Sequence, residues 1–260
     1  MLLHRALATL LLPLLVALAP ARAPAAERLQ ISPWIDGGIA LGSAGLWIGV
    51  SQAAATPAPL HAPSVDPPGG IDRWASIPGD PAFLTVSDSI LWGTIALGGA
   101  LTLADGWRDD DLVAHTVVYA EALLINGMVT EVTKHLVQRA RPYTYAAPKG
   151  TPDDLRSFFS GHTSWTATAS FTAARIFDIT GDLTPWERVA LYGGAGALTV
   201  GVGVSRVRAG MHFPTDVLTG ALVGTTIGLA VPELHRPGGW LFGGQVDPDG
   251  GVRLAVTGSF

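Results

Sequence analysis

The chain has 260 residues, 48% of them hydrophobic and only 14% charged, with a formal net charge of −5 and no cysteine. This length is enough for one domain with a sizeable core. The acidic balance excludes a chain-wide nucleic-acid surface, so any cluster of cations serves a local anion site, and the missing cysteines exclude disulfides without identifying a compartment.

In chain order, residues 1–25 read as a secretory leader. His4 and Arg5 precede an apolar run from Ala6 to Pro20, and small residues follow at Ala21-Arg22-Ala23 and Ala23-Pro24-Ala25. Cleavage there exports the rest of the chain to the periplasm or cell envelope. Residues 26–79 form an N-terminal segment: 34–51 is an apolar Gly/Ala-rich stretch of reduced helix propensity, and 53–70 is a Pro-rich loop. A helical core is predicted over 80–236, with helices at 87–103, 111–138, 163–177, 186–204 and 215–231. In the tail, 237–260, two apolar segments flank Asp247-Pro248-Asp249-Gly250-Gly251, which predicts a β-hairpin. The expected fold class is all-α, a helical bundle with a short C-terminal hairpin.

Three blocks carry chemistry. Lys134 and Arg141 are seven residues apart, about two helical turns, so on a helix they share a face, and Pro142 then ends it. Ser160-Gly161-His162 precedes an Ala/Thr-rich helix whose N-terminus offers free N–H groups to an anion. Ser205-Arg206 is followed by His212 and, four residues on, Asp216, with Pro214 suited to a first helical turn. That spacing lets a carboxylate reach the imidazole and fix its tautomer. Other polar residues have plainer readings. His61, His115, His135 and His235 read as surface or capping residues, Arg139 and Arg208 as solvated or loop-bonding charges, and Glu121 and Glu131 as ion-paired or solvated. Thr163 and Ser164 belong to a helix start, and Phe158, Phe159 and Trp165 suit either a core or a lipid tail.

The pattern Lys-x6-Arg-Pro, Ser-Gly-His and Ser-Arg-x5-His-x3-Asp, running from Lys134 to Asp216, resembles the type 2 phosphatidic acid phosphatase and vanadium haloperoxidase superfamily. One departure is Phe159, where the family usually has Pro before Ser-Gly-His. The resemblance implies that family's helical bundle and a phosphatase acting through a phosphohistidine. His212 would be the nucleophile, Asp216 its orienting carboxylate and His162 the general acid. Lys134, Arg141 and Arg206 would neutralise the phosphoryl oxygens, with Ser160 and Gly161 completing the cradle. It implies no catalytic metal, since the three cations do that electrostatic work. The substrate would be a lipid phosphate such as phosphatidic acid, phosphatidylglycerophosphate or isoprenyl pyrophosphate, or a small phosphoester. The alternative is a vanadium-dependent haloperoxidase, with vanadate held in the same cradle. A phosphate-binding protein without turnover is disfavoured, because nucleophile, acid and orienting carboxylate are all present.

The relation to a membrane is read from length. Most charge-free stretches are about 16 to 19 residues where about 20 is usual for a span, which favours an exported, non-spanning bundle over an integral one. Counting 34–51 as a first span after a cleaved leader would also put Lys134 and Arg141 on the cytoplasmic side, opposite to the outer placement expected from relatives with six spans.

Overall fold

A computed structural model describes residues 27–53, 69–75, 77–237, 241–246 and 252–257, the last two stretches by their backbone only. The expected leader and most of the Pro-rich loop lie outside these residues. Among the described residues there are six long helices: α1 (Pro33–Ala53), α2 (Ala82–Arg108), α3 (Leu112–Val137), α4 (Gly161–Thr180), α5 (Pro185–Arg208) and α6 (Pro214–Leu234). Strands β1 (Leu241–Val246) and β2 (Val252–Thr257) pair antiparallel, with Leu241 opposite Thr257 and Val246 opposite Val252. The helical bundle and the terminal hairpin are both as the sequence predicts.

Local chemistry sets the helix ends. Gln138 closes α3 in the left-handed region at φ 48°, its N–H bonded to the Lys134 carbonyl, and Arg141-Pro142 then continues as a short 3-10 turn, Pro142–Tyr145. Helix α5 opens on a capping box between Thr184 and Glu187 with Pro185 in its first turn, and α6 also opens on a proline, Pro214. The helices outrun the charge-free stretches because charged residues sit inside them: Asp88 and Asp105 both lie within α2. Three segments, Ala82–Arg108, Leu112–Tyr145 and Pro214–Leu234, are long and apolar enough to cross a membrane.

Helix α4 is the hub, packed by α2, α3, α5 and α6, while α1 lies along α3. Its neighbours approach closely because the facing residues are small. Gly220, Gly224 and Gly228 lie along one face of α6, and a Cβ at any of them would run into α4 at Ser160, Ser164 or Phe171. The interior is correspondingly rich in Ala, Ser and Thr, including Thr163, Ser164, Thr166, Thr168 and Thr172 of α4. Large apolar side chains point outward instead, as at Leu41, Trp92, Leu218 and Leu222. Alternate helices run in opposite directions, so the ends of α1, α3 and α5 and the starts of α2, α4 and α6 meet at one end of the bundle.

Candidate active site

That end gathers all the predicted site residues. Lys134 comes from the last turn of α3, Ser160, Gly161 and His162 from the start of α4, Arg206 from the last turn of α5, and Asp216 from the first turn of α6. Arg141 and His212 stand on the two connections between them. Lys134, Arg141, Ser160, Arg206, His212 and Asp216 are all buried. Three buried cations beside buried imidazole are costly unless an anion compensates them.

His212 is held in one tautomer. Its Nδ1 lies 2.7 Å from the Ser157 carbonyl, which can only accept, so Nδ1 carries the proton. Its Nε2 lies 3.3 Å from Arg141 Nη1, which can only donate, so Nε2 presents its lone pair. Burial, followed by the Arg141, Lys134 and Arg206 charges, pushes the His212 pKa well below its ordinary value and keeps the ring neutral. The i+4 spacing predicts direct support from Asp216, but that carboxylate is 3.8 Å from Nδ1. It instead accepts from Ser157 Oγ at 2.6 Å, the Phe213 N–H at 2.9 Å and Arg139 Nη1 at 2.5 Å. Asp216 therefore ties together the two segments that carry His212 and the Ser157 carbonyl, acting on the ring through them.

The cations are fixed from behind. Lys134 Nζ donates to the Arg156 carbonyl at 2.9 Å, which leaves other ammonium donors, and it lies beside Gly161, where a Cβ would come within 3.8 Å of it. Arg141 donates to the Asp153 carbonyl and carboxylate at 2.8 and 2.7 Å and to the Met211 carbonyl at 3.1 Å. Burial favours a higher Asp153 pKa, but the Arg141, Lys134 and Arg156 charges outweigh it and hold the carboxyl below its ordinary range. Arg206 Nη1 reaches Ser87 Oγ at 3.3 Å, and its buried Nε has no partner among the described residues. Ser160 Oγ shares a 2.9 Å hydrogen bond with Thr163 Oγ1, and its N–H donates to the Asp216 carbonyl at 3.0 Å. An oxyanion of tetrahedral shape, phosphate or vanadate, fits this donor set.

His162 sits at the rim. Its Nε2 meets Asp88 Oδ1 of α2 at 2.8 Å, so its Nδ1 is the nitrogen left to exchange a proton with a ligand. Burial and the Arg206 charge lower its pKa to about 4, against the opposing pull of Asp88.

Several participants escape sequence reasoning. Asp88 is 46 residues before Lys134 and has no local motif around it. Arg139, expected to be solvated or loop-bonding, bridges Asp216 to Asp72, with Asp72 Oδ2 at 2.7 Å, and lies 4.3 Å from the centre of the Phe213 ring. Asp72 in turn accepts from the Thr215 N–H at 3.0 Å. Ser157 contributes chiefly a carbonyl, which no residue type announces. The bland reading of Glu131 fits, since it pairs with Arg156 at 2.5 Å. Phe159, in place of the usual Pro, is buried with its ring edge-on to Phe158.

Residues 115–239 match the family model of the PAP2 superfamily. That part of the chain, just under half of it, is similar to the PAP2 superfamily. It contains every predicted site residue but not Asp72 or Asp88. Among curated proteins, the lipid A 1-phosphatases of Rhizobium etli and Rhizobium johnstonii are each 31% identical over 135 residues, 49% of this chain and 53% and 50% of theirs. The chain thus matches about half the length of these curated relatives. Among solved structures, the transmembrane PAP2 type phosphatidylglycerolphosphate phosphatase from Bacillus subtilis gives a TM-score of 0.48 at 21% identity, covering 76% of this chain and 94% of that one. A bacterial vanadium-dependent chloroperoxidase gives 0.39 at 15% identity, covering 80% and 51%.

Proposed function

We propose that this PAP2-like chain is a lipid phosphate phosphatase that works through a phosphohistidine. The observation that carries the reading is the neutral His212, its Nε2 lone pair bordered by the buried cations Lys134, Arg141 and Arg206. In the first step the Nε2 lone pair attacks phosphorus, an N–P bond forms and the P–O bond to the leaving group breaks. A proton on His162 Nδ1 passes to the leaving oxygen as that bond breaks. In the second step water attacks phosphorus, His162 takes its proton, the N–P bond breaks and phosphate departs. The three cations neutralise the equatorial oxygens in both transition states. Asp216 holds the His212 loop, and Asp88 holds His162.

The low pKa of His162 is consistent with this cycle. A phosphoryl dianion entering the pocket offsets the neighbouring cations and favours the imidazolium, so the acid is armed when substrate is bound. Vanadate, which mimics the trigonal-bipyramidal transition state, would be held by the same residues and is expected to inhibit.

A lipid substrate is supported by the surroundings. An apolar groove of about 440 Å³ runs between α2, α4 and α5 from Ser89, next to Asp88, through Ile90, Leu97 and Leu198. At the opposite end of the bundle, Trp34, Trp107 and Trp186 are 92%, 77% and 81% exposed. Asp88 and Trp107, like Trp186 and Arg206, are separated along their helices by roughly 30 Å at 1.5 Å per residue, about the thickness of a bilayer's hydrocarbon core. We therefore place the bundle in a membrane, with this tryptophan belt at one interface and the phosphate site at the other. Because α1 is part of this bundle and the site lies at its far end, a periplasmic phosphate site requires the start of α1 to lie on the cytoplasmic side.

The test is phosphate release by the detergent-solubilised chain on a panel comprising lipid A 1-phosphate, phosphatidic acid, phosphatidylglycerophosphate, isoprenyl pyrophosphate and water-soluble phosphoesters. The expected result is release from a lipid member that His212→Ala abolishes. Release from none of them, with halide oxidation on adding vanadate and peroxide, would overturn the reading.

A further inference from the structure

A second polar cluster lies far from the phosphate site and takes no part in the reaction. Asp36 at the start of α1, Glu121 in α3 and His235 just past the end of α6 are all more than nine-tenths buried. Their donor atoms lie within 4.8 Å of one another. His235 Nδ1 is 2.8 Å from the Val231 carbonyl, so it carries the proton and leaves Nε2 facing the two carboxylates. Second-partner fixation of this kind is what orients a metal-binding imidazole. Nε2 is 3.4 Å from Glu121 Oε2 and 3.5 Å from Asp36 Oδ1. Those spacings are long for direct hydrogen bonds, yet they match the edge of a tetrahedron whose centre is roughly 2.0–2.2 Å from each donor.

Two further features point to a ligand. Glu121 Oε2, on a residue only 3% exposed, is buried without a hydrogen-bond partner among the described residues and is directed at this cluster. Two carboxylates facing one imidazole leave at least one negative charge uncompensated, even with the imidazole protonated, inside a protein whose interior is rich in Ala, Gly, Ser and Thr, a costly state that a divalent ion would neutralise.

We propose that Asp36, Glu121 and His235 bind one divalent transition-metal ion of the Zn²⁺ or Mn²⁺ class. The donor set, one imidazole nitrogen and two carboxylate oxygens, suits such borderline ions better than Ca²⁺, which takes six to eight oxygens. The ion is a staple. It joins three segments distant in sequence at the tryptophan end of the bundle and closes α1 onto α3 and α6. It does not touch the phosphate, so it bears on stability and not on turnover.

The experiment uses the full chain in detergent, stripped with chelator, equilibrated with Zn²⁺ or Mn²⁺, desalted and analysed for bound metal. About one equivalent is expected for the wild type and its complete loss in Glu121→Gln and in His235→Gln. His115→Gln, which alters the other buried His–carboxylate group with Asp105 and Asp109, is expected to leave that equivalent in place. Co²⁺ substitution supplies a readout independent of folding yield: a visible absorption band in the wild type that Glu121→Gln abolishes while circular dichroism stays helical. Metal addition is expected to raise the thermal midpoint of the stripped wild type by several degrees and that of Glu121→Gln not at all. A stripped wild type that rebinds no metal would show a hydrogen-bonded His–carboxylate network and overturn the proposal. Retention of the full equivalent in both Glu121→Gln and His235→Gln would overturn it as well. Neither outcome depends on phosphatase activity, so the two proposals fail separately.

Discussion

Each imidazole at the candidate site has its own environment, and the two environments predict different behaviour. His212 is buried among cations and stays neutral until the pH falls well below 6.5, so in the proposed mechanism loss of the nucleophile is expected to limit the rate only on the acid side. His162 has its pKa at about 4 in the free protein, so its acid form declines as pH rises past that value. For an alkyl phosphate, kcat/KM is therefore expected to fall with rising pH, and kcat to fall at a higher pH, because bound phosphate favours the imidazolium. An aryl phosphate, whose leaving group needs little protonation, is expected to lack that decline. The same contrast separates the variants. His212→Ala is expected to abolish turnover of every substrate, whereas His162→Ala, by losing general acid catalysis worth about 10²–10⁴-fold, is expected to retain slow release of aryl leaving groups. Asp88→Asn is expected to lower kcat on alkyl phosphates and spare aryl ones, as measured by the ratio of the two rates. Equal losses on both would remove Asp88 from the positioning role. Asp216→Asn is expected to keep the fold and lower turnover strongly, and wild-type turnover would show that the Asp216 bridge does not matter to His212.

At the scale of elements, the site is a meeting of helix ends held by ion pairs that cross long stretches of sequence. Arg139 joins the segment after α3 to the first turn of α6 through buried Asp216, and to the 3-10 turn Gly70–Trp74 through Asp72. Burial disfavours the Asp72 charge, yet the Arg139 and Thr215 hydrogen bonds outweigh it and hold its pKa below the ordinary value. Arg139→Gln is expected to cost about 3 kcal/mol in a denaturation measurement, since it strips a buried carboxylate of its counter-charge. Gly224→Val is expected to cost about the same by pushing α6 off Ser164 of α4. Legibility differed in kind among these features. That Lys134, Arg141, Ser160, Gly161, His162, Arg206, His212 and Asp216 gather at one end of the bundle was legible because order and spacing along the chain are a local code. The places of Arg139, Asp72, Asp88 and Ser157 beside them were not, because these residues meet partners 59 to 143 residues away and one contributes a backbone carbonyl. The direct contact from Asp216 to His212 failed for a related reason: i+4 spacing measures reach along a helix, and His212 stands in the loop before α6.

For the whole molecule, small and hydroxylated residues inside with tryptophan, leucine and valine outside invert the usual soluble pattern, and the sequence hid this because its outward apolar faces are broken by Gly and Ala. The charge-free stretch between Asp88 and Asp105 is too short to span, but both residues lie inside α2, which runs on past each of them. Membrane placement predicts that the chain resists extraction from membranes by high salt or carbonate and is released by detergent. Its phosphate site, at the opposite end from Trp34, Trp107 and Trp186, would then face lipid headgroups. The central claim remains chemical. The most direct measurement is to incubate the chain with a ³²P-labelled lipid phosphate, quench rapidly and determine the covalent label. The account predicts an acid-labile, base-stable phosphoramidate on His212, absent in His212→Ala and accumulating when His162 is replaced and an aryl phosphate is supplied. Phosphate release at the wild-type rate from His212→Ala, with no labelled protein in the wild type, would contradict it.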